Sequence, residues 1–461
     1  MLRLSWSQPE DLLPHAIVAA RLDGCDVAGL ERRWIAAGGN PVPPVSGASP
    51  TAAPEVLRTL ARALLDEVDA ASAPASLVAA EPDDLGAIEA LTPGAALRSP
   101  ADDDIDDRLL GGWLGRAAGC LLGKPVEKVP RAGILAIARS TGNWPIASYF
   151  TARGLDPEVA AAHPWNRRSA ANSLVENIDG MPEDDDMNFA LIALRLVELH
   201  GASLTADDVA EMWLDELPGG RVFTAERVTY RNLLAGARAD AAGRIGNPFQ
   251  AWIGAQIRTD VYGWVSPGDP QRAARLAWED ARLSHRRSGI YGAMFVAAAS
   301  AAAVAGTSID ECIEGGLSVV PPDSRYARAI GRGVELARSS MSDDRAIDAL
   351  YDDYGHLHWV HVLNNSALLA FALTRSGGDF TTAITTAVAG GWDTDSTGAT
   401  VGALCGALTG AAALPAPWVD PLRNRLSSSV GGFANLDDGR IGFDELARRV
   451  AAARLPVRRG T

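Results

Sequence analysis

Two runs of glycines at four-residue spacing constrain this chain more than any other feature. Gly398, Gly402, Gly406 and Gly410 follow the segment Gly390-Gly391-Trp392-Asp393-Thr394-Asp395-Ser396-Thr397. Gly111, Gly115, Gly119 and Gly123 recur far upstream in GGWLGRAAGCLLGKPVE, which ends in Glu127. On a helix, residues four apart share one slowly drifting side. An interior glycine costs about 1 kcal/mol against alanine, so repeated glycines need a compensating contact. Close approach of the two striped helices supplies one, and it would bring Glu127 near Asp393 and Asp395. Membrane packing also uses small-residue stripes, but these segments carry Arg116 and Lys124 and are too short to span.

The remaining composition narrows the functional class. A net charge of −15 and a sequence pI near 5.0 argue against a general binder of phosphate backbones. The four cysteines (Cys25, Cys120, Cys312 and Cys405) are scattered without a CxxC pair, which reads as reduced thiols and not as a disulfide framework. The N-terminal MLRLSWSQPEDLLPH lacks a basic head followed by an apolar core, so a cytoplasmic location is expected. The longest apolar stretch, 291–306, is mostly alanine and glycine and fits a tightly packed core helix.

Read in order, residues 1–100 form an accessory region without recognisable chemistry. It holds a turn-rich linker near residues 38–50 and an amphipathic helix over 54–68, with Leu57, Leu60, Leu64 and Leu65 on one face. An acidic run from Asp102 to Asp107 is positioned to cap the first glycine helix. From about 105 to 461 the pattern is helical, broken by glycine, proline and asparagine loops. A polar stretch over 151–181 contains Trp165-Asn166-Arg167-Arg168, and helices are expected near 205–216, 224–240, 270–283, 289–305, 325–340, 343–354, 361–375, 379–389 and 397–409. Period-two alternation is almost absent, so the expected fold class is all-α.

The acids carry the chemistry. Glu183, Asp184, Asp185 and Asp186 open a strongly apolar helix that runs to His200. A solvated cluster complementing the helix dipole is the plain alternative. Four adjacent carboxylates at the edge of a core, however, repel unless a cation offsets them. Together with Glu127, Asp393, Asp395 and the Ser396 hydroxyl they form a hard-oxygen donor set suited to Mg²⁺, Mn²⁺ or Ca²⁺. So many carboxylates exceed what one magnesium needs, which favours a two-metal site. His356, His358 and His361 lack the partners of a zinc motif and read as structural or substrate-contacting. Ser284 and His285 are adjacent in sequence without a nucleophile elbow, and no phosphate-binding glycine loop is present.

Three ordered segments, GRAAGCLLGKPVE, EDDDMNFALIALRLVE and GGWDTDSTGATVGALCGALTG, resemble the ADP-ribosylglycohydrolase family from about residue 108 to 450. The resemblance implies an all-α orthogonal helical bundle around a dinuclear Mg²⁺ or Mn²⁺ centre. It also implies hydrolysis of a ribosyl C1 bond in an ADP-ribosylated protein or an ADP-ribose-like small molecule. By position, Glu183, Asp184, Asp185, Asp393, Asp395 and Ser396 would hold metal, and Glu127, Asp184 and Asp395 would be catalytic. Glu127, Arg258, Tyr262, His285, Tyr291 and His361 would meet the substrate. Glu183 and Asp186 stand where hydroxyl residues are usual, and a glycine-rich loop keeps only Gly254 and Arg258. Those departures leave open a small N-riboside substrate, or a non-catalytic binder of the same fold.

Overall fold

The computed structural model describes residues 3–43, 47–94, 104–166, 169–434 and 440–456. The described chain is helical throughout, apart from one short antiparallel ladder pairing Leu426–Ser427 with Arg440–Ile441, a pair too short for a sequence periodicity to reveal. Asp102 and Asp103 of the acidic run, and Arg167 and Arg168 of the polar stretch, lie outside the described residues. Asp104 takes the N-cap position of the first glycine helix without a side-chain cap bond.

The two glycine helices, Ile105–Gly123 and Thr394–Thr409, lie antiparallel in direct backbone contact. A methyl group added at Gly111, Gly115 or Gly119 would overlap the carbonyl oxygen of Gly406, Gly402 or Gly398 respectively. The reverse holds for the partner glycines, so the two stripes interlock in one fixed register. Gly410 differs: its backbone lies against Gly111, but a methyl group added to it would meet Asp107 and not a glycine carbonyl. It ends the second helix with a positive φ of 84°, a conformation glycine adopts without penalty. The same register sets Gly123 against Thr394, whose hydroxyl donates to the Gly123 carbonyl at 2.9 Å. The end of the first helix is thereby placed at the start of the second.

Other helices enclose this pair. Ser288–Val304 is buried along its whole length, as its alanine-rich sequence requires of a helix with neighbours on every side. No helix among the described residues is long and apolar enough to cross a membrane. Sequence periodicity placed most of the expected helices within a few residues, but it missed Arg131–Ser140. It also missed the short helices Ala75–Ala80, Leu85–Leu91, Pro157–Ala162 and Ala170–Ser173, which lie in stretches that read as loops, and two expected helices differ in their bounds. The segment expected as one helix over 224–240 is split into Thr224–Leu234 and Ala239–Ala242, with Gly236 at φ 89° between them. The helix expected from 397 begins at Thr394, so the acidic segment itself forms its first turn.

Residues 3–94 are joined closely to the rest. Trp6 and His15 pack edge-on against Phe249 and Trp252, and the Trp252 ring stacks on His358 at 4.2 Å between centroids. Three acids of this region clamp three arginines of the remainder: Asp23 contacts Arg287 and Arg325, Glu81 contacts Arg325 at 2.7 Å, and Asp83 contacts Arg286 at 2.7 Å.

Candidate metal centre

Three chain segments converge where the glycine helices meet. After Gly123 the chain makes a 3-10 turn, Lys124–Val126, and presents Glu127. Trp392 and Asp393 lead into Thr394–Thr409, with Asp393 at the N-cap position. Asp184 caps the helix Asp185–His200 by accepting from the Asp186 N–H. Two helix N-termini therefore point into a group of carboxylates, where their partial positive charge favours anions. Lys128, directly after Glu127, has φ 71°, and Trp392, directly before Asp393, has φ 58°. Left-handed backbone at non-glycine residues costs energy and is concentrated where a site fixes side-chain direction.

The carboxylates fall into two groups. Oxygens of Glu127, Asp393 and Asp395 all lie within 4.8 Å of one another. Glu127 accepts from the Asn166 amide and faces the Lys128 ammonium at 3.1 Å. Burial raises the Asp393 carboxyl well above the usual range, with the nearby Asp395 charge adding to it. Asp395 is pushed up to about 7 by burial and then by the charges of Glu127 and Asp184. Asp185 is also raised, by burial and then by the charges of Asp184, Asp395 and Glu127. A convergent, charge-repelling set of hard oxygens fits one divalent Mg²⁺ or Mn²⁺ ion.

In the second group, donor atoms of Cys120, Asp184 and Asp186 lie within the same 4.8 Å limit. Asp184 contacts the buried Lys124 ammonium through Oδ2, and its Oδ1 accepts from the Cys120 thiol at 3.4 Å. Burial alone would raise Asp184, but the Lys124 charge and hydrogen bond hold it below the usual carboxylate range. Asp186 accepts from the Ser396 hydroxyl at 3.2 Å and lies 3.6 Å from the fully buried Arg116. Arg116 in turn holds the Asp186 carbonyl and the Asp260 carboxylate.

The remaining residues expected at the site are placed as follows. The Glu183 carboxylate is taken by Asn188 at 3.0 Å, Arg221 at 2.9 Å and Ser429. Arg258, Tyr262 and His285 share a sealed cluster. Arg258 bonds Asp280 and Glu226, each at 2.6 Å, and Ser284 at 3.0 Å, while Tyr262 donates to Asp280 at 2.6 Å. The Ser284 hydroxyl meets His285 Nδ1 at 2.8 Å inside this cluster, where both are buried. Tyr291 donates to the Pro82 carbonyl at 2.7 Å, which ties it to the N-terminal region. His361 caps the helix Val362–Ser376, accepting from the Leu363 N–H.

Four contributors went unremarked as site residues in the sequence: Lys124, Cys120, Asn166 and Asn365. Lys124 and Cys120 sit in the glycine-helix motif itself, and a lysine inside an apolar run was a legible signal. Asn365 had none. Its amide oxygen accepts from the Asp393 N–H at 3.1 Å and the Thr397 hydroxyl at 3.2 Å, and its NH₂ donates to the Trp359 and His361 carbonyls, both at 2.8 Å. Through it, the His358–His361 segment is tied to the metal centre. The other side of that segment lines a cavity of about 390 Å³ whose walls include His15, Asp69, Trp252, Arg287, His358 and His361. None of the centre's carboxylates lines this cavity.

One solved structure, described as an "ADP-ribosylglycohydrolase-related protein complex", is similar at 21% identity and a TM-score of 0.48, over 76% of this chain and 99% of that one. No curated protein matches the chain. The family model for ADP-ribosylglycohydrolase matches residues 101–457, which leaves residues 1–100 outside it. With the glycine-helix pair, the two acid groups and a family match over most of its length, the chain belongs to the ADP-ribosylglycohydrolase family.

Proposed function

We propose that the protein is a divalent-metal-dependent hydrolase that cleaves the C1 bond of a ribosyl group. The observation that carries this reading is the convergence of Glu127, Asp393 and Asp395 within one ligand-sized space. A bound Mg²⁺ or Mn²⁺ there would supply a charge that orients ribose hydroxyls and activates a water molecule. The chain's own residues supply the rest. Water adds to C1, the bond from C1 to nitrogen or oxygen breaks, and the leaving group takes a proton. The positive charge developing on the sugar is stabilised by the surrounding carboxylates. Asp395, raised to about 7 without metal by burial and by the charges of Glu127 and Asp184, would be held ionised by a bound cation and so face the reacting sugar as a carboxylate. Glu127 is oriented by Asn166 and Lys128 to face the same space.

A small riboside is favoured over a modified protein by the N-terminal region. His15 and Asp23 close one side of the 390 Å³ cavity, which shares the His358–His361 segment with the candidate metal centre. A volume of that order suits the part of a nucleotide-sized molecule that lies beside the carboxylates and not on them.

The test is a panel of ribosides with Mg²⁺ or Mn²⁺, read by mass spectrometry for free ribose or ADP-ribose. ADP-ribosyl-arginine, ADP-ribosyl-serine, NAD, nicotinamide mononucleotide and simple nucleosides span the leaving groups. Metal-dependent release that disappears in Asp395→Ala is the expected result, with the small ribosides turned over best. Binding of metal and riboside without release would turn the reading toward a binding protein.

A further inference from the structure

The two acid groups are not equivalent, and their difference bears on how many metal ions the centre holds. The group containing Asp184 and Asp186 already has fixed cations. Lys124 reaches Asp184 from the turn after the first glycine helix, with its side chain only 9% exposed. Arg116, with a fully buried side chain, lies between Asp186 and Asp260. Two permanent charges thus face three carboxylates. Around the other group, Glu127, Asp393 and Asp395 have one direct ion pair, from Glu127 to Lys128, whose side chain is 52% exposed, and the Lys124 charge reaches Asp395 only from its seat on Asp184.

The donors differ as well. Asp184 has little left to offer: Oδ2 is against Lys124, and Oδ1 accepts from both Cys120 and the Asp186 N–H. Asp186 Oδ2 is engaged by Ser396, and its buried Oδ1, which has no hydrogen-bond partner, faces the Arg116 guanidinium at 3.6 Å. The third donor atom is a thiol, which suits soft cations and not Mg²⁺ or Mn²⁺. Lys124 cannot withdraw cheaply, because a buried ammonium without its carboxylate loses the only charge that offsets its desolvation. The glycine contact that fixes Gly123 against Thr394 also fixes the turn from which Lys124 projects.

We infer that the Lys124 ammonium takes the place of a second metal, so that the centre holds one divalent ion, at Glu127, Asp393 and Asp395. This rests on the proposed reading of those three acids as a metal site. It departs from the two-ion expectation drawn from the sequence. Lys124 then acts as a positioning residue that fixes Asp184 and, through it, the start of the Asp185–His200 helix.

The test uses the full chain loaded with excess Mn²⁺, freed of unbound ion, and read by elemental analysis and electron paramagnetic resonance. One Mn²⁺ per chain with the hyperfine pattern of an isolated ion is expected. Lys124→Met removes the charge while keeping an apolar stem, and should raise the content toward two ions with a spin-coupled spectrum. Lys124→Arg should keep one. Two coupled ions in the unaltered protein would overturn the inference. So would a Lys124→Met variant that is folded by circular dichroism yet still holds one ion. No bound Mn²⁺ in any variant would overturn both this inference and the reading of the metal site beneath it.

Discussion

The metal centre and the Arg258 cluster are both groups of buried charges, and they are built on opposite plans. In the Arg258 cluster every carboxylate oxygen has a fixed donor. Asp280 takes Arg258 and Tyr262, and Glu226 takes Arg258 and Thr224. Phe189 and Trp213 cover the guanidinium at 5.4 and 5.0 Å. The carboxylates of such a group are fully answered, and His285 Nε2 is the atom of this cluster left without a hydrogen-bond partner. At the centre, Glu127, Asp393 and Asp395 crowd together with the half-exposed Lys128 paired to Glu127 and with Lys124 held by Asp184. Burial and the neighbouring carboxylates drive the Asp393 and Asp395 carboxyls upward, and the Lys124 charge offsets only part of this at Asp395. The contrast separates a buried polar cluster that serves stability from one that serves binding: the useful sign is unanswered charge, not burial.

Breaking the complete cluster should have the largest effect. Arg258→Met strands Glu226 and Asp280 without their cation and should cost about 3–5 kcal/mol in denaturant unfolding. A loss below about 1 kcal/mol would show that the cluster is not compensated as described.

The centre should respond to pH in the metal-free protein. The Asp395 carboxyl lies at about 7 in the fold against an ordinary 3.8, so the folded chain holds a proton that the unfolded chain has released. That contribution is present at low pH and is lost as pH rises from about 4 toward 7. Metal-free protein should therefore unfold more readily at pH 8 than at pH 6, and Mn²⁺ should abolish most of the difference. Thermal melts with and without the ion check it, and the opposite slope would sink the description of the centre.

Asp395→Asn sharpens the contrast further, because here a lost charge should help the apo fold. Metal-free stability at pH 8 should rise by about 1–3 kcal/mol, since a shift of one pKa unit is about 1.4 kcal/mol. Mn²⁺ affinity, measured by calorimetry, should fall by more than about 100-fold, given that losing an outer partner alone costs about 10- to 100-fold. The smallest effect belongs to Lys128→Ala. Its ion pair with Glu127 is half-exposed, so stability should move by less than about 1 kcal/mol, with Mn²⁺ held slightly more tightly.

The amino-acid sequence by itself determined the helical class and the pairing of the two glycine helices. Both follow from local rules: a period near 3.6, and a spacing of four that puts every glycine on one side. Once that pairing is granted, the meeting of Glu127 with Asp393 and Asp395 follows from chain connectivity. Only the tertiary structure decided which charges answer which. Arg258 and Lys124 are both cations of motif segments in the sequence, yet one is sealed between Glu226 and Asp280 and the other lies against Asp184. Their partners come from segments far apart along the chain, and no local spacing encodes such distances. The N-terminal region shows the same limit. Its acids Asp23, Glu81 and Asp83 have no motif, and only folding sets them on Arg287, Arg325 and Arg286. Periodicity reports the face a residue occupies on its own helix, whereas compensation of a buried charge depends on what other elements bring to it.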